Sequence, residues 1–347
     1  MKRALAAAAL VFALPRLVAS DVAAAVDPAA KLPPGGSASE YWDLVALLDD
    51  GFRVTARIVI TNEGPGERSA AAFGHVLRPG AAPAVFQNAR REGSWRLSPD
   101  RRRVEIGSSL LDLSAAERHF EVDNDKRAVK VFLDWSAAAS ARSVPATSLP
   151  SGYAVDVLAL ASPTRASIQV AGMSEPQKLA GQLTLTHTWM QGPESDLVLR
   201  RIDVTSTRSA PAVYVLDVLG PAGKRFSWAM VSDAEASRSP ARLEARIENS
   251  RAPGSYPIPS VLVLDGSDLR GRVTFGPPWL EVDPLAALPS VLRMVYSLRG
   301  RPHRSWAEAG FEFTWVPAPE HPTVRVTGDA IASLSFLDAL PPSPVLP

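Results

Sequence analysis

From residue 183 to residue 189 the chain reads Leu-Thr-Leu-Thr-His-Thr-Trp, a strict two-residue alternation that an extended strand sorts into two different faces. Leu183, Leu185, His187 and Trp189 fall together on one of them. A strand face that carries an imidazole and an indole into an apolar interior is either a buried polar network or the wall of a ligand pocket. Both readings stand at this point.

The same period recurs along the chain in short segments separated by turn residues, and 31 prolines and 22 glycines supply the punctuation. Val54, Ala56, Ile58 and Ile60 share a face, and the stretch Asn62-Glu63-Gly64-Pro65-Gly66 ends that strand. Further strands are expected near 104–106, 129–133, 153–160 and 167–170. A second series is expected at 183–189, 197–204, 213–218, 226–231, 243–248, 261–264, 273–275, 311–316 and 323–326. The fold class is therefore all-β, with two antiparallel domains at 39–178 and 179–338, a linker at 26–38 and a disordered tail at 339–347. Helix is scarce. The one candidate, 284–299, has Asp283 as cap, Pro284 at its first position and Gly300 at its end, but Pro289 makes a single turn followed by a strand an equal reading.

Residues 1–25 have the plan of a secretory signal peptide. Lys2 and Arg3 precede an apolar run from Ala4 to Leu14, and small residues at 18–20 and 23–25 offer cleavage sites. The expected location is the periplasm or beyond, near a membrane surface. With no cysteine, no disulfide framework is available to the roughly 320 residues that follow the leader, so each core must hold without staples. Lys plus Arg (37) balance Asp plus Glu (36), which leaves no net field to gather nucleic acid, and Arg90-Arg91 and Arg101-Arg102-Arg103 read as solvated hairpin ends.

Familiar catalytic signatures are missing. Gly172-Met173-Ser174-Glu175-Pro176 lacks the second glycine of a nucleophile elbow, and Gly220 to Arg225 has the wrong spacing for a phosphate loop. The five histidines show no metal-ligand spacing and there is no thiolate to join them, so no metal is expected. What remains lies on strands. Arg201 and Asp203 stand side by side on one face of 197–205, as an exposed or interdomain salt bridge or with Asp203 handling a proton. Tyr214 shares a face with Leu216 and Val218. Asp217 falls opposite, with Val213 and Val215, where desolvation would raise a carboxyl's pKa as a general acid requires. Tyr41 and Trp42 open the first strand, and they, Phe86, Trp95 and Trp135 either pack the first domain or line a pocket.

Ser39-Glu40-Tyr41-Trp42, Asp49-Asp50-Gly51, Arg78-Pro79-Gly80, Phe86-Gln87-Asn88-Ala89-Arg90 and Thr186-His187-Thr188-Trp189, followed by a strand with Arg201 and Asp203, together resemble the lipocalin-like superfamily. That group contains the AttH-like proteins, the hydroxyneurosporene synthases or carotenoid hydratases, the yeast survival-factor proteins and the fungal Diels-Alderase-type cyclases. The resemblance implies two lipocalin-like barrels or sandwiches packed together, with an apolar cavity inside a barrel or between them. It implies an isoprenoid or other lipid-like ligand and no redox cofactor. A hydratase of this type needs one acid, a dry pocket and aromatic faces near the developing cation. On this view His187, Trp189, Arg201, Tyr214, Tyr41 and Trp42 contact ligand, and Asp203 or Asp217 is the acid. The hydratases of that group carry tryptophans around the aspartate of the strand after His-x-Trp, where this chain has Arg201. Three functions stay open: an exported carrier of an apolar small molecule, a cofactor-independent hydratase or cyclase, and an envelope protein with filled cores.

Overall fold

The computed structural model describes residues 26–62, 68–137, 141–208, 210–232, 237–240, 242–251, 256–286, 301–315 and 323–337. The chain is all-β, built as two antiparallel sheets that curl into a half-barrel and a nearly closed barrel. The expected leader and tail, and nearly all of the expected helix at 284–299, lie outside the described residues; the first turn of that helix begins as a capped turn, with the Asp283 carboxylate accepting from the Leu285 amide at 2.8 Å.

The first sheet holds twelve strands: β1 (Ser39–Leu48), β2 (Arg53–Thr61), β3 (Ser69–Leu77), β4 (Ala84–Arg90), β5 (Arg96–Leu97), β6 (Arg103–Ile106), β7 (Ser109–Asp112), β8 (Glu117–Asn124), β9 (Val129–Ser136), β10 (Arg142–Ser143), β11 (Tyr153–Val170) and β12 (Gln177–Met190). The second holds nine: β13 (Arg200–Ser206), β14 (Ala212–Leu219), β15 (Arg225–Ser232), β16 (Ser237–Arg238), β17 (Leu243–Arg251), β18 (Ile258–Gly266), β19 (Leu269–Val282), β20 (His303–Trp315) and β21 (Val324–Phe336). Each is a meander closed by its last strand, since β12 sits between β1 and β11 and β21 sits between β13 and β20. The seam of the second barrel is bridged from β15 to β17, where Arg225 Nη1 donates to the Ala245 carbonyl at 2.7 Å.

The expected division at 178/179 falls inside β12, and it needs correcting. Every backbone partner of β12 belongs to β1 or β11, so the first sheet runs to Met190 and the second opens at Arg200. The turn residues near Gly172 mark the hairpin between β11 and β12, not a linker between domains.

Gly181 shows how tightly that closing strand is fitted. A Cβ added there would lie 2.1 Å from the Leu47 carbonyl oxygen of β1, a backbone atom that cannot swing aside. Gly181→Val is expected to lower unfolding stability by about 1–3 kcal/mol or more, the cost of overpacking, measurable by urea denaturation.

Alternation then decides what meets what. The inner face of β1 and β2 (Trp42, Leu44, Ala46, Val54, Ile58) builds the core of the first sheet. Ile202, Val204, Val213 and Val215 build that of the second. The opposite faces of the same strands are buried too, because the two sheets pack outer face to outer face. Tyr41, Val155 and Met190 meet Tyr214, Leu216 and Trp228 in one interdomain cluster, and Val45 and Leu47 meet Trp306, Leu280 and Ile331 in another. On β1, Asp43 separates the two.

Candidate functional site

β12 is the central wall of the site, and its two faces do different work. On the inner face, register places His187 opposite Trp42 on β1 and opposite Asp156 on β11. The imidazole stacks on the Trp42 indole with centroids 4.4 Å apart and planes 8° from parallel, and Trp189 tilts against it at 5.1 Å. His187 Nε2 lies 3.1 Å from a carboxylate oxygen of Glu40, which also accepts the backbone amides of Lys31 and Leu32. Burial raises the Asp156 carboxyl above the ordinary range, against the lowering effects of the Ser143 hydrogen bond and of His187. This is a sealed polar cluster within the first sheet. Residues 27–32 cover it, with Ala30 in the core and Lys31 over the Trp189 ring.

On the outer face Thr184, Thr186 and Thr188 look toward the second sheet, and here the centre is Arg201. Its Nη1 donates to Thr188 Oγ1 at 2.7 Å, Tyr153 Oη at 3.0 Å and Tyr41 Oη at 3.3 Å. Its Nε and Nη2 form a bidentate pair with Asp203 at 2.8 and 2.7 Å. Tyr214 donates a hydrogen bond to Asp203, while Tyr41 and Tyr153 donate to Glu194 at 2.6 and 3.1 Å. Burial pushes the Tyr41, Tyr153 and Tyr214 hydroxyls well above the usual tyrosine range, so each stays a neutral donor.

Next to this network lies a cleft. Its walls come from β1 and β12 on one side and from β13, β14, β20 and β21 on the other, and they include Asp43, Thr186, Asp203, Tyr214, Arg304 and Trp306. Unfilled space amounts to about 620 Å³, but the slot is so thin that the centre of a water-sized sphere can occupy only about 40 Å³ of it. Asp43 holds Arg57 through 2.6 and 2.7 Å bonds and Arg304 of the second sheet at 3.2 Å. Burial opposes ionisation of Asp43, but Arg304 and Arg57 outweigh it and hold the carboxyl far below the ordinary range.

His75 on β3 approaches the same corner, 6.4 Å from the Trp306 ring. Burial, and then the charge of Arg304, lower its pKa to about 4. The unfolded chain therefore takes up this proton before the folded one does. The resulting stability is present in full above the unfolded value near 6.5 and is lost as pH falls from there to about 4. His75→Gln is expected to remove a loss on the order of 2 kcal/mol across that window, seen as a flatter plot of unfolding free energy against pH.

The residues singled out in the sequence thus occupy three places. Asp203 and Tyr214 line the cleft, with Arg201 and Tyr41 in the network behind it. His187, Trp189 and Trp42 face the interior of the first sheet, one strand thickness away. Asp217 points into the second barrel with no exposure. There it accepts from Arg200 at 2.9 Å and Ser227 at 3.0 Å, with Arg225 3.4 Å away. It does not reach the cleft, because its neighbours at 216 and 218 take the interdomain face. Asp43, Arg57, Glu194 and Arg304 were not singled out, since charges on alternate positions look like a solvated face. Among the described residues no group of three or more His, Asp or Glu has a geometry that holds a metal ion.

Solved structures with a similar fold exist. An AttH-assigned protein from Nitrosomonas europaea superposes with a TM-score of 0.61 at 10% identity, covering 86% of this chain and 93% of its own. Kievitone hydratase from Nectria haematococca gives 0.55 at 10% identity over 92% and 95%, and CghA in its structure with Sch210972 gives 0.59 at 10% over 91% and 96%. The chain has the AttH-type lipocalin-like fold. At this identity the likeness is one of fold, and it spans most of each chain. No family model matches the sequence, and no curated protein matches it.

Proposed function

We propose that the protein is an exported binding protein that holds a lipid-like small molecule in the cleft between its two sheets. The observation that carries this reading is the cleft itself, a slot with apolar residues along one stretch and hydroxyls along another, at the junction of two domains where such sites recur. Its carboxylates are engaged. Asp43 is held ionised by two arginines, and Asp203 is bound by the Arg201 guanidinium and the Tyr214 hydroxyl. That pattern suits recognition better than proton delivery. Export rests on the leader read in residues 1–25. No helix among the described residues is long and apolar enough to cross a membrane.

A second reading is a cofactor-independent hydratase or cyclase with Asp203 at its centre. It is favoured by the Tyr214–Asp203 hydrogen bond at the cleft wall and by the fold shared with kievitone hydratase. In that case Asp203 would be the acid that protonates the substrate and is reprotonated by the water that adds, with the Tyr214 hydroxyl hydrogen-bonded to it at the cleft wall.

The test is native mass spectrometry and lipid extraction of protein expressed with its leader in a Gram-negative host, comparing the wild type with Ser333→Trp, which fills the slot. The expected result is a stoichiometric small molecule in the wild type that is lost in the variant. A folded wild type that carries nothing and takes up nothing from a lipid extract overturns the proposal in favour of filled barrels.

A further inference from the structure

The cleft is not the end of the path. A wide groove adjoins it, with about 1400 Å³ of unfilled space, of which about 800 Å³ admits the centre of a water-sized sphere. The two share Leu47 of β1 and Ile331 of β21 as common wall residues. These two side chains come from different sheets and pack in the same apolar cluster, so they form a neck between slot and groove. Arg53 of the first sheet pairs with Glu308 of the second at 2.6 Å beside the groove, and its guanidinium lies 4.7 Å from the Trp279 ring.

The chemistry along this path has a direction, and both sheets agree on it. Along β1, going outward, the interdomain face passes from Asp43 through Val45 to Leu47. Along β21 it passes from Ser333 to Ile331, with Thr186 opposite Asp43 and Asp203 opposite Ser333 on the neighbouring strands. The deep end is polar and the neck is apolar.

The deep end is also self-neutralised. Arg57, Arg201 and Arg304 stand against Asp43, Asp203 and Glu194; each of these carboxylates accepts hydrogen bonds, from arginines at Asp43 and Asp203 and from tyrosine hydroxyls at Glu194. His75 is neutral at physiological pH. A charged head group entering here would find no unpaired counter-ion and would have to shed its water. Hydroxyls, by contrast, are on offer. Those of Thr186, Thr205 and Ser333 line the slot and make no side-chain hydrogen bond among the described residues.

We infer that slot and groove are one channel, and that its ligand is a slender, uncharged amphiphile that enters head first. Its alcohol, phenol or carbonyl oxygen meets the deep hydroxyls, and its hydrocarbon body passes between Leu47 and Ile331 into the groove. This rests on the binding reading above and adds the class of ligand and its orientation to it.

The experiment titrates 1-dodecanol and dodecanoate, matched in chain and differing in head-group charge, at neutral pH, by tryptophan fluorescence and calorimetry. Dodecanol is expected to bind at least about ten-fold more tightly, the margin of one lost head-group hydrogen bond or more. In Thr186→Val/Ser333→Ala, which keeps the walls in shape, the dodecanol affinity is expected to fall about ten-fold and the preference to vanish. Ile331→Trp is expected to stop both probes, with circular dichroism and thermal midpoint confirming that each variant is folded. Equal or tighter binding of dodecanoate overturns the uncharged-head inference, and binding unaffected by Ile331→Trp overturns the neck. If neither probe binds although the wild type carries a co-purified molecule that Ser333→Trp loses, this inference fails and the cleft reading stands. If neither probe binds and nothing co-purifies, both fail.

Discussion

Replacing Arg201 with methionine is expected to cost about 3–5 kcal/mol of unfolding free energy, the range seen when one member of a buried charge pair is removed. Arg201 is 1% exposed, and its hydrogen bonds join strands of both sheets through Thr188, Tyr41, Tyr153 and Asp203. Methionine fills much of the volume but donates nothing. It leaves the Asp203 carboxylate with Tyr214 as its remaining donor, in a wall where water has little room. Denaturant unfolding measures the loss. A fall below about 1 kcal/mol, the ordinary worth of a surface ion pair, would show that water replaces the guanidinium and that the interface is wetter than described. Because the residue ties the sheets together, the cleft is expected to loosen along with the fold, so ligand retention should fall in the same variant.

The second large effect separates Asp217 from the site. Asp217→Leu strands Arg200, which is 4% exposed, without its counter-ion in the second barrel, and is expected to cost about 3–5 kcal/mol. The double replacement Arg200→Leu/Asp217→Leu removes both charges and is expected to recover most of that loss, since a buried pair is worth little against well-packed apolar residues. Refolded to equal stability, the double variant is expected to bind ligand as the wild type does. Loss of binding in a stable double variant would mean that the barrel interior, and not the slot between the sheets, holds the ligand.

The contrast between Asp203 and Asp217 shows what could be read from residues alone. Their opposite faces follow from period two, and so do the adjacency of Arg201 with Asp203 and the company that Tyr214 keeps; all of these are observed. The all-β class was legible for the same reason. Alternation says which side chains share a face but not how many faces are buried. On β12 the threonines look like a solvent side, yet Thr184, Thr186 and Thr188 are nearly as inaccessible as the leucines, because a second sheet covers them. Hence His187 and Asp203, grouped as one site from motif order, sit on opposite sides of a strand. Asp43, Arg57 and Arg304 escaped notice for a related reason. A charge buried by pairing has the same local sequence as one in water: Arg57 meets Asp43 from the neighbouring strand, and Arg304, which meets it across the interface, lies 261 residues away. A hint was present at 39–43, where each face of the strand carries one aromatic residue and one carboxylate, Tyr41 with Asp43 and Trp42 with Glu40.

The placement of the closing strands carries a consequence for how the chain is made. β1 emerges early in synthesis with Trp42, Leu44 and Ala46 ready to pair, but one of its two neighbours, β12, is the last strand of its sheet to appear. The same holds for β13, which must wait for β21. Each sheet therefore carries an open, apolar edge through nearly all of its own translation, the condition under which strands find wrong partners. Such non-local pairing also makes for slow folding. For a chain read as exported, an unfinished edge is the surface on which a holding chaperone would act, and the keystone strands are where its grip would be lost.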